Sequence, residues 1–452
     1  MKPFLLSDAL RAVEGRFFGD DAALGREVTR VTSDSRDAGP GALFFAFKGN
    51  RVDGHDFMAG CIEKGAAGCI SEREPAEDER PAIVVGSSLK AAGALAAWHR
   101  SRFDIPVVGI TGSVGKTTTK EMVAAVLAQR FNTHKTEKNF NNELGVPRTL
   151  LRLDEKHEAA VVEMGISGFG EMRRLTNMVR PTIAVFSVIG DAHLEFLGDR
   201  EGVLRAKSEI FEGMGEGALA VLNGDDTLLA GCRPNMRRVL YGRGENCDVR
   251  AENVHNLGED GIALTICHAL GAFEARIPAF GSHMIYAALA AAAVGLELGL
   301  TDDEIARGIA AYQTVGDRAR VLHAGDVTVI SDCYNANPNS CRAALDSLAA
   351  LPGRRVCVLG DMLELGEQTA ALHSGVGEYA ARLGVEEIVA CGALSRHIYE
   401  GAKAAGGNAA YYPDKAALLA DLPALVGPGD TVLVKASHSM AFEEIVEKLV
   451  ER

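Results

Sequence analysis

Short apolar runs and longer amphipathic stretches alternate along the middle of the chain, from Asp104 onwards. The runs are IPVVGIT, AAVVEMG, PTIAVFSVI and GALAVLN, while KEMVAAVLAQRF and EGVLRAKSEIFEGM between them have helical spacing. Short runs rich in β-branched residues are typical of buried strands, and strands that alternate with helices are typical of a parallel sheet. The pattern therefore predicts an α/β domain with a mostly parallel sheet and crossover helices.

The pattern changes on both sides of this region, and the changes predict further domains. Polar and apolar residues alternate between Cys247 and Phe280, which indicates antiparallel strands that flank the central sheet. Earlier in the chain, GALFFAFKG and RPAIVVG predict strands of a first α/β domain. After the helices that end near Tyr312, the segments RVLHAGDVTVISDCY, RRVCVLGDM, VEEIVACG and DTVLVKAS predict another βα alternation. We expect domains over residues 1–103, 104–313 and 314–452.

Composition is typical of a folded protein and argues against several classes of function. Of the 452 residues, 47% are hydrophobic and 24% are charged, and the net charge of -14 argues against a nucleic-acid partner. The longest apolar stretch, Met284 to Leu296, is well short of the roughly 20 residues that span a bilayer, which predicts a buried helix and no membrane insertion. The nine cysteines form no C-x-x-C pairs, which predicts reduced thiols. The N-terminal apolar segment is too short for a signal peptide, so we expect a cytoplasmic protein.

The stretch VVGITGSVGKTTTKEM, from Val107 to Met122, joins a predicted buried strand to a predicted helix through a glycine turn. It contains the second half of the phosphate motif G-x-x-x-x-G-K-[ST], but Ile110 stands where the first glycine is usual. Glycines let the backbone approach an anion, and the first turn of a helix offers free N–H groups and the positive end of the helix dipole. The segment therefore predicts a nucleotide phosphate site formed by Thr111, Gly112, Ser113, Val114, Gly115, Lys116, Thr117 and Thr118.

Within this loop, Lys116 would meet the β and γ phosphates and the Thr117 hydroxyl a magnesium ion. Glu163 ends a later predicted strand, and His193 comes just after another. Ligands of open α/β sheets lie beyond the carboxyl ends of the strands, so both side chains would converge on the phosphates. Taken singly, Glu163 and His193 would each be a loop or helix-cap residue. Lys207, in the helical stretch that follows, would be a solvated lysine. The loop itself would be an ordinary strand–turn–helix.

Thr111 to Thr117 match the loop T-G-[ST]-x-G-K-[ST], and on this motif the chain resembles the Mur ligase family, in which the missing glycine is normal. The resemblance covers nearly the whole chain. It includes SDSR and ALFFAFKGNRVDGHDF, then NFNNELGVPRTLL, EMG, HLEFLG and KSEI, and finally SDCYNANPNSCRAALDSL, LGDMLELGE and KAS. The third group is similar to the branch of the family that adds D-alanyl-D-alanine. The motif D-N-P-R, common in the branch that adds diaminopimelate, is absent.

The resemblance implies an ATP-dependent ligase that joins D-Ala-D-Ala to UDP-MurNAc-tripeptide through an acyl phosphate, in peptidoglycan precursor synthesis. It implies three α/β domains, an N-terminal one that binds the UDP substrate, a central P-loop-type one that binds ATP and a C-terminal Rossmann-like one. We expect these small molecules as the partners, and a monomer. Substrate contacts are expected from Ser33, Ser35, Arg36, Asn139 and Asn142.

The resemblance also assigns roles in catalysis. It implies catalytic roles for Lys116, Glu163, His193 and Lys207. Thr117 and Glu163 would hold one Mg²⁺, and His193 with a carbamylated Lys207 a second. From the third domain, Arg318 and Asp332 would contact the nucleotide.

The chain departs from the family pattern at two places. Family members commonly have H-N-x-x-N after the antiparallel strands, and here His283 is followed by Met284 and Ala287 at the asparagine positions. This departure leaves adenine recognition open. His438 stands where arginine is usual, which puts one contact of the third domain in doubt.

Three alternatives stay open at this point. A P-loop kinase or NTPase would transfer or release phosphate without an amine substrate. A non-catalytic nucleotide switch would need neither the first nor the third domain. A ligase like folylpolyglutamate synthetase would share the last two domains and lack the module of residues 1–103. Whether the third residue of the accepted peptide is lysine or diaminopimelate is also open.

Overall fold

The computed structural model describes residues 1–49, 51–316 and 318–451, and the strands within them form three main sheets. One sheet takes its strands from residues 16–84, the next from residues 107–277 and the last from residues 320–435. Each predicted domain thus contains one main sheet, although the domain boundaries themselves stay a prediction. The predicted α/β class with mostly parallel sheets is confirmed.

The N-terminal part of the chain forms a small α/β unit. Its strands are β1 (Phe4–Leu5), β2 (Arg16–Phe18), β3 (Glu27–Val28), β4 (Arg30–Thr32), β5 (Ala42–Phe45), β6 (Gly68–Ser71) and β7 (Ala82–Val84). Its helices are α1 (Leu6–Val13), α2 (Met58–Glu63) and α3 (Ser88–Arg100). The main sheet has the order β2-β7-β6-β5-β4, in which only β2 runs antiparallel to its neighbour. The segments GALFFAFKG and RPAIVVG contain β5 and β7, as predicted.

The central part of the chain forms the largest sheet. Its strands are β8 (Val107–Thr111), β9 (Thr133–Lys135), β10 (Ala159–Glu163), β11 (Ile183–Phe186), β12 (Leu219–Asn223), β13 (Arg237–Gly242), β14 (Val249–Asn256), β15 (Ile262–His268) and β16 (Gly271–Ile277). Its helices are α4 (Lys116–Leu127), α5 (Gly145–Leu150), α6 (Glu171–Val179), α7 (Leu194–Leu197), α8 (Arg200–Ser208), α9 (Thr227–Gly231), α10 (Met284–Glu297) and α11 (Asp302–Ala310).

The strand order of this sheet is β16-β15-β14-β13-β12-β11-β8-β10-β9. Strands β8 to β14 pair in parallel, whereas β15 and β16 are antiparallel to their neighbours, as the polar–apolar alternation predicts. β9 and β10 lie on one side of β8, and after β10 the chain crosses to β11 on the other side. This is the switch point at which open α/β sheets bind ligands.

The C-terminal part of the chain forms a sheet with the order β17-β18-β22-β19-β20-β21. Its strands are β17 (Arg320–Ala324), β18 (Val327–Ser331), β19 (Arg354–Gly360), β20 (Glu387–Cys391), β21 (Ala409–Tyr412) and β22 (Asp430–Lys435). Its helices are α12 (Pro338–Ala349), α13 (Thr369–Arg382), α14 (Arg396–Ala404), α15 (Lys415–Leu425) and α16 (Glu443–Val450). Short 3-10 turns elsewhere in the chain cover Asp21–Gly25, Gly54–Phe57, Glu77–Glu79, Glu209–Gly213, Gly258–Asp260, Gly366–Gln368 and His438–Met440.

The segment RVLHAGDVTVISDCY, predicted as the start of a βα unit, is instead an antiparallel hairpin of β17 and β18. Its turn is Gly325-Asp326, and Gly325 has a φ of 57°. Residues of this kind between two apolar runs are a strong hairpin signal, because glycine adopts a positive φ without strain. The remaining neighbours in this sheet pair in parallel, as the βα alternation predicts.

The alanine-rich stretch forms helix α10, and its central residues Ala288 to Ala292 are fully buried. The helix packs against α4, which follows the phosphate loop, and the small side chains let the two helices approach closely. No helix among the described residues is both long and apolar enough to cross a membrane. The predicted buried helix is therefore confirmed, and it supports the element that begins at the candidate site.

Helices α13 and α14 cross at glycines. A Cβ on Gly377 would lie 1.9 Å from the carbonyl oxygen of Ile398, and a Cβ on Gly401 would lie 2.1 Å from the carbonyl oxygen of Ser374. Both contacts are with backbone atoms, which cannot rotate away as a side chain can. The crossing therefore requires residues without a side chain.

We expect Gly377→Ala to lower the free energy of unfolding by about 1–3 kcal/mol, because the added methyl must push the helices apart. Gly375→Ala on the same helix is the control, since its Cβ would meet only the guanidinium of Arg342 at 3.5 Å. The control should leave stability unchanged or raise it, because alanine favours a helix over glycine. Thermal unfolding followed by calorimetry measures both effects, and equal melting temperatures for the two variants would contradict the crossing.

Candidate active site

The carboxyl ends of three neighbouring strands place the predicted catalytic residues at one edge of the central sheet. Glu163 at the end of β10 is in register with Ile110 of β8, and Phe186 at the end of β11 is in register with Thr111. Because these strands are parallel, the loops that follow them leave the sheet on the same side. The phosphate loop is therefore flanked by Glu163 on one side and by the loop after β11 on the other.

The phosphate loop is held tightly against the loop after β11. Gly112 has a φ of 141°, and a Cβ there would lie 2.0 Å from the hydroxyl of Ser187. That hydroxyl donates to the carbonyl of Val114 at 2.5 Å, and Ser113 N donates to the carbonyl of Val188 at 2.8 Å. The loop conformation is thus fixed by a neighbouring strand end, and it requires glycine at residue 112.

Lys116 begins helix α4 directly after Gly115, which has a left-handed φ of 81°. Its ammonium lies back over the loop and donates to the carbonyls of Gly112 at 2.9 Å and Ser113 at 3.4 Å. Burial lowers the pKa of this lysine, and the Glu163 carboxylate opposes that effect. An anion bound by the loop N–H groups would meet this ammonium, as the motif predicts.

Thr117, Glu163 and Asn141 form one hydrogen-bonded group beside the loop. The Thr117 hydroxyl donates to Glu163 Oε2 at 2.8 Å, and Asn141 Nδ2 donates to Glu163 Oε1 at 2.8 Å. Thr117 and Glu163 are 4% and 1% exposed, and both line the cavity described below. A hydroxyl and a carboxylate oxygen held together are hard donors of the kind that Mg²⁺ prefers.

The chain alone supplies few ligands to such a cation. Among the described residues, no group of three or more His, Cys, Asp or Glu side chains could hold a metal ion. Mg²⁺ commonly keeps several waters and binds through one or two protein oxygens together with the phosphates of a substrate. Thr117 and Glu163 fit this kind of site, because they lie beside a phosphate loop.

Lys207 lies on α8 with its side chain 1% exposed, and its ammonium has no hydrogen-bond or ion-pair partner among the described residues. Burial lowers the pKa of Lys207 well below its usual value, and the nearby charge of Lys116 lowers it further. The pKa of His193 is lowered by burial and by Lys207, while Glu364 raises it. An ammonium has no lone pair for a cation, and Mg²⁺ prefers oxygen to an amine nitrogen, so Lys207 fits a magnesium site only in a modified form.

The third domain contributes a hydrogen-bonded pair, Asp332 and Lys435, near the phosphate loop. Asp332 accepts hydrogen bonds from Lys435 Nζ at 2.6 Å and from Ala319 N at 3.3 Å. Lys435 is 2% exposed and also donates to the carbonyl of Asn335 at 2.8 Å. Arg318 lies with its guanidinium carbon 3.9 Å from the centre of the Tyr334 ring. Asp332 and Arg318, both predicted nucleotide contacts, thus lie close together in the fold.

A cavity of about 610 Å³ opens between the central and third domains. Its lining from the central domain includes Ser113, Val114, Gly115, Lys116, Thr117, Thr118, Asn141 and Glu163. Its lining from the third domain includes Arg318, Asp332, Tyr334, Asn335, Asn337, Asn339 and Lys435. Predicted phosphate contacts and predicted third-domain contacts therefore share one cavity.

The cavity wall is apolar where the family motif would place asparagines. Met284 and Ala287 line it and are 3% and 4% exposed. His283 lies beside them, and its buried Nδ1 has no hydrogen-bond partner among the described residues. Burial lowers the pKa of His283, while Asp332 opposes this effect. This part of the wall offers one directed polar atom where the family commonly has two amides.

Three family models match the chain over successive segments. They are the Mur ligase family catalytic domain over residues 27–115, the Mur ligase middle domain over residues 110–295 and the Mur ligase glutamate ligase domain over residues 317–438. The UDP-N-acetylmuramoyl-tripeptide–D-alanyl-D-alanine ligase of Escherichia coli is 38% identical over 99% of this chain and 98% of its own length. The chain belongs to the Mur ligase family.

Solved structures of relatives match this Mur ligase over nearly the whole chain. A crystal structure of MurF from Acinetobacter baumannii has a TM-score of 0.93 and 32% identity, with all of both chains covered. The MurF ligase of Thermotoga maritima in complex with ADP has a TM-score of 0.85 and 29% identity, covering 96% of this chain and 99% of that one. The three-domain architecture of the family is therefore present.

Several predicted residues of this Mur ligase lie outside the cavity. Ser33, Ser35 and Arg36 are in a loop of the first domain, where Arg36 pairs with Asp34 through a hydrogen bond of 2.6 Å. The neighbouring guanidinium of Arg36 lowers the pKa of Asp34 to about 2, and Arg148 of the central domain contributes. None of Ser33, Ser35 and Arg36 lines the cavity.

The two predicted asparagines of the segment NFNNELG do not contact Glu163. Asn139 is exposed, and Asn142 Oδ1 accepts hydrogen bonds from Leu144 N at 3.1 Å and Gly145 N at 2.9 Å, just before helix α5. Asn141, between them, is the one that donates to Glu163. His193 and Lys207 interact electrostatically with each other but do not line the cavity. Thr111 and Gly112 form the base of the loop behind it.

Sequence reasoning therefore missed Asn141, Lys435 as the partner of Asp332, and Glu364 as the partner of His193. Lys435 and Glu364 are in KAS and LGDMLELGE, which the resemblance includes without assigning a role to either residue. Pairing across more than a hundred residues leaves no local spacing signal. The sequence cue for Lys435 and Glu364 is that each lies in a family motif at or near the end of a predicted strand.

Gly112→Ala should abolish measurable binding of ADP, because the new methyl would collide with Ser187 and alanine is strained at this positive φ. Gly215→Ala is the control, since a Cβ there would meet no atom within 4 Å. Isothermal titration calorimetry with Mg²⁺ and ADP measures both. A Gly112→Ala variant that is folded and binds ADP with unchanged affinity would contradict the phosphate loop.

Proposed function

We propose that this Mur ligase joins D-Ala-D-Ala to UDP-MurNAc-tripeptide, with hydrolysis of ATP to ADP and phosphate, in the cytoplasmic synthesis of peptidoglycan precursors. The observation that carries the proposal is the cavity between two domains, which combines a phosphate loop with polar residues of the third domain. The near full-length similarity to the E. coli ligase supports the choice of substrates. That similarity includes the first domain, which a folylpolyglutamate-synthetase-like ligase would lack.

The reaction has two steps, formation of an acyl phosphate and its displacement by an amine. A carboxylate oxygen of the tripeptide attacks the γ-phosphorus of ATP, and the bond to the β–γ bridging oxygen breaks, giving an acyl phosphate and ADP. The amine of D-Ala-D-Ala then attacks the acyl carbon, loses a proton, and expels phosphate from a tetrahedral intermediate. Both steps develop negative charge on phosphoryl or carbonyl oxygens, so positioning and charge neutralisation are the main contributions of the protein.

The residues of the phosphate loop would supply that neutralisation. The loop N–H groups and the start of α4 would bind the β and γ phosphates, and Lys116 would leave the carbonyls of Gly112 and Ser113 to contact them. Buried charges act in a less polar surrounding than water, which strengthens their effect on the phosphoryl group. Asn141 would hold Glu163 in place through its hydrogen bond to Oε1.

Magnesium is part of the proposal at two places. Thr117 and Glu163 would hold one ion, and His193 with a carbamylated Lys207 a second. When bound, the ions would neutralise phosphate charge and orient the reacting oxygens. The neutral amine that burial favours at Lys207 is the form that can add carbon dioxide, since an ammonium has no lone pair.

The other domains would complete the substrate sites. Arg318 and Asp332 would contact the nucleotide from the third domain, the aspartate through ribose hydroxyls. Ser33, Ser35 and Arg36 would bind the UDP end of the tripeptide substrate, and Asn139 and Asn142 would contact the substrate from the central domain. We expect a monomer.

Release of phosphate tests the proposed function directly. We expect release with Mg²⁺-ATP only when UDP-MurNAc-tripeptide and D-Ala-D-Ala are both present, and a ligated pentapeptide product detectable by mass spectrometry. Lys116→Ala should lower kcat by orders of magnitude, because it removes the cation that faces the transferring group. Turnover without an amine would indicate a kinase or NTPase, and near-normal kcat in Lys116→Ala would refute the assigned phosphate site.

Lys207→Ala should be nearly inactive, and short carboxylates such as acetate should restore part of its activity by supplying the missing oxygens. Labelled ¹³CO₂ should add a carbamate signal to the NMR spectrum of the wild type and not to that of the variant. Lys90→Ala, at an exposed lysine of α3, is the control and should keep full activity. An unmodified amine in the magnesium-bound and nucleotide-bound enzyme, or normal turnover of Lys207→Ala, would refute the carbamate.

A further inference from the structure

Glu364 of the third domain reaches across to His193 of the central domain. Its Oε2 lies 2.6 Å from His193 Nδ1, and both residues have a left-handed backbone, with φ values of 62° and 58°. The two loops are closely docked, since a Cβ on Gly366 would lie 3.2 Å from the Cα of Glu195. The contact between Glu364 and His193 is therefore part of a closely packed interface between the two domains.

The loop that carries this carboxylate is fixed from inside the third domain. Met362 N donates to His373 Nε2 at 3.0 Å, and Leu363 N donates to the Ser437 hydroxyl at 3.2 Å. Leu365 is 2% exposed and belongs to the apolar core beneath the sheet. A loop anchored at three points has little freedom, so the position of the carboxylate follows the position of the whole third domain.

The contact also determines which ring nitrogen of His193 carries the proton. A carboxylate only accepts, so Nδ1 donates to Glu364, and in the neutral ring Nε2 keeps its lone pair. Nε2 has no hydrogen-bond partner among the described residues. Because Nδ1 donates to Glu364, Nε2 is the ring nitrogen that His193 can offer to a cation.

We propose that Glu364 is a positioning residue that presents His193 Nε2 to a divalent cation only while the third domain is docked. The inference rests on the proposed function, in which His193 belongs to the second cation site. It adds that the affinity of this site depends on a residue supplied by another domain. A carboxylate that accepts from the far nitrogen of a metal-bound histidine typically contributes 10–100-fold to metal affinity, which sets the expected effect at about that size.

Binding of Mn²⁺ tests the inference independently of ligase activity. Electron paramagnetic resonance counts Mn²⁺ bound to the full chain in bicarbonate buffer with a non-hydrolysable ATP analogue. We expect two ions per chain in the wild type, and Glu364→Ala should weaken one of them by about tenfold or more. Glu364→Gln should lose less, because its amide oxygen still accepts from Nδ1. Glu367→Ala, at an exposed carboxylate three residues along the same loop, is the control and should bind like the wild type.

A double-mutant cycle separates positioning from a general change in structure. His193→Ala should weaken the same ion at least as much, and His193→Ala with Glu364→Ala should be no weaker than His193→Ala alone. Additive losses, unchanged Mn²⁺ binding in Glu364→Ala, or equal losses in Glu364→Ala and Glu364→Gln would each overturn the inference. Ligation by the wild type tests the proposed function separately, so normal ligation with unchanged Mn²⁺ binding in Glu364→Ala would reject the inference alone.

Discussion

The close approach of the phosphate loop to the loop after β11 is the constraint on which the site depends. Gly112 lies so near Ser187 that no side chain fits between them, and Ser187 in turn holds the carbonyl of Val114. This contact is possible only because β8 and β11 are adjacent and parallel, with Thr111 opposite Phe186. The start of helix α4 therefore points at the crevice between strand ends, and Glu163 on β10 completes it.

Two buried lysines near this crevice differ in whether a carboxylate pairs with them. Lys120 is fully buried and lies 2.8 Å from Glu121, so its charge is compensated inside the fold. Lys207 is also buried, yet its ammonium has no such partner among the described residues. A buried unpaired charge is costly, and the group responds by losing its proton or by binding a countercharge. Lys207 is the group of this kind beside the phosphate loop, and its low pKa favours the neutral amine.

Sequence patterns predicted the fold class, the buried helix and the glycine turn between β8 and α4, because each depends on neighbouring residues. Strand and helix periodicity is local, and the glycines of the loop are adjacent in the chain. The hairpin of β17 and β18 was missed although its Gly-Asp turn was visible. The partners Asn141 and Glu364 could not be predicted from spacing, because the sheet order and the docking of domains bring them to Glu163 and His193.

The third domain contributes at both ends of the site, which ties its position to the chemistry. At one end Lys435 holds Asp332 beside the cavity, and at the other Glu364 holds His193. Between them, Asn339 Oδ1 accepts from Asp191 N at 3.2 Å, close to the loop that Ser113 contacts. Lys435 is on β22, Asn339 is on α12 and Glu364 follows β19, so one domain supplies all three contacts. Chemistry that needs both ends of the site therefore needs the third domain in the docked position that these contacts define.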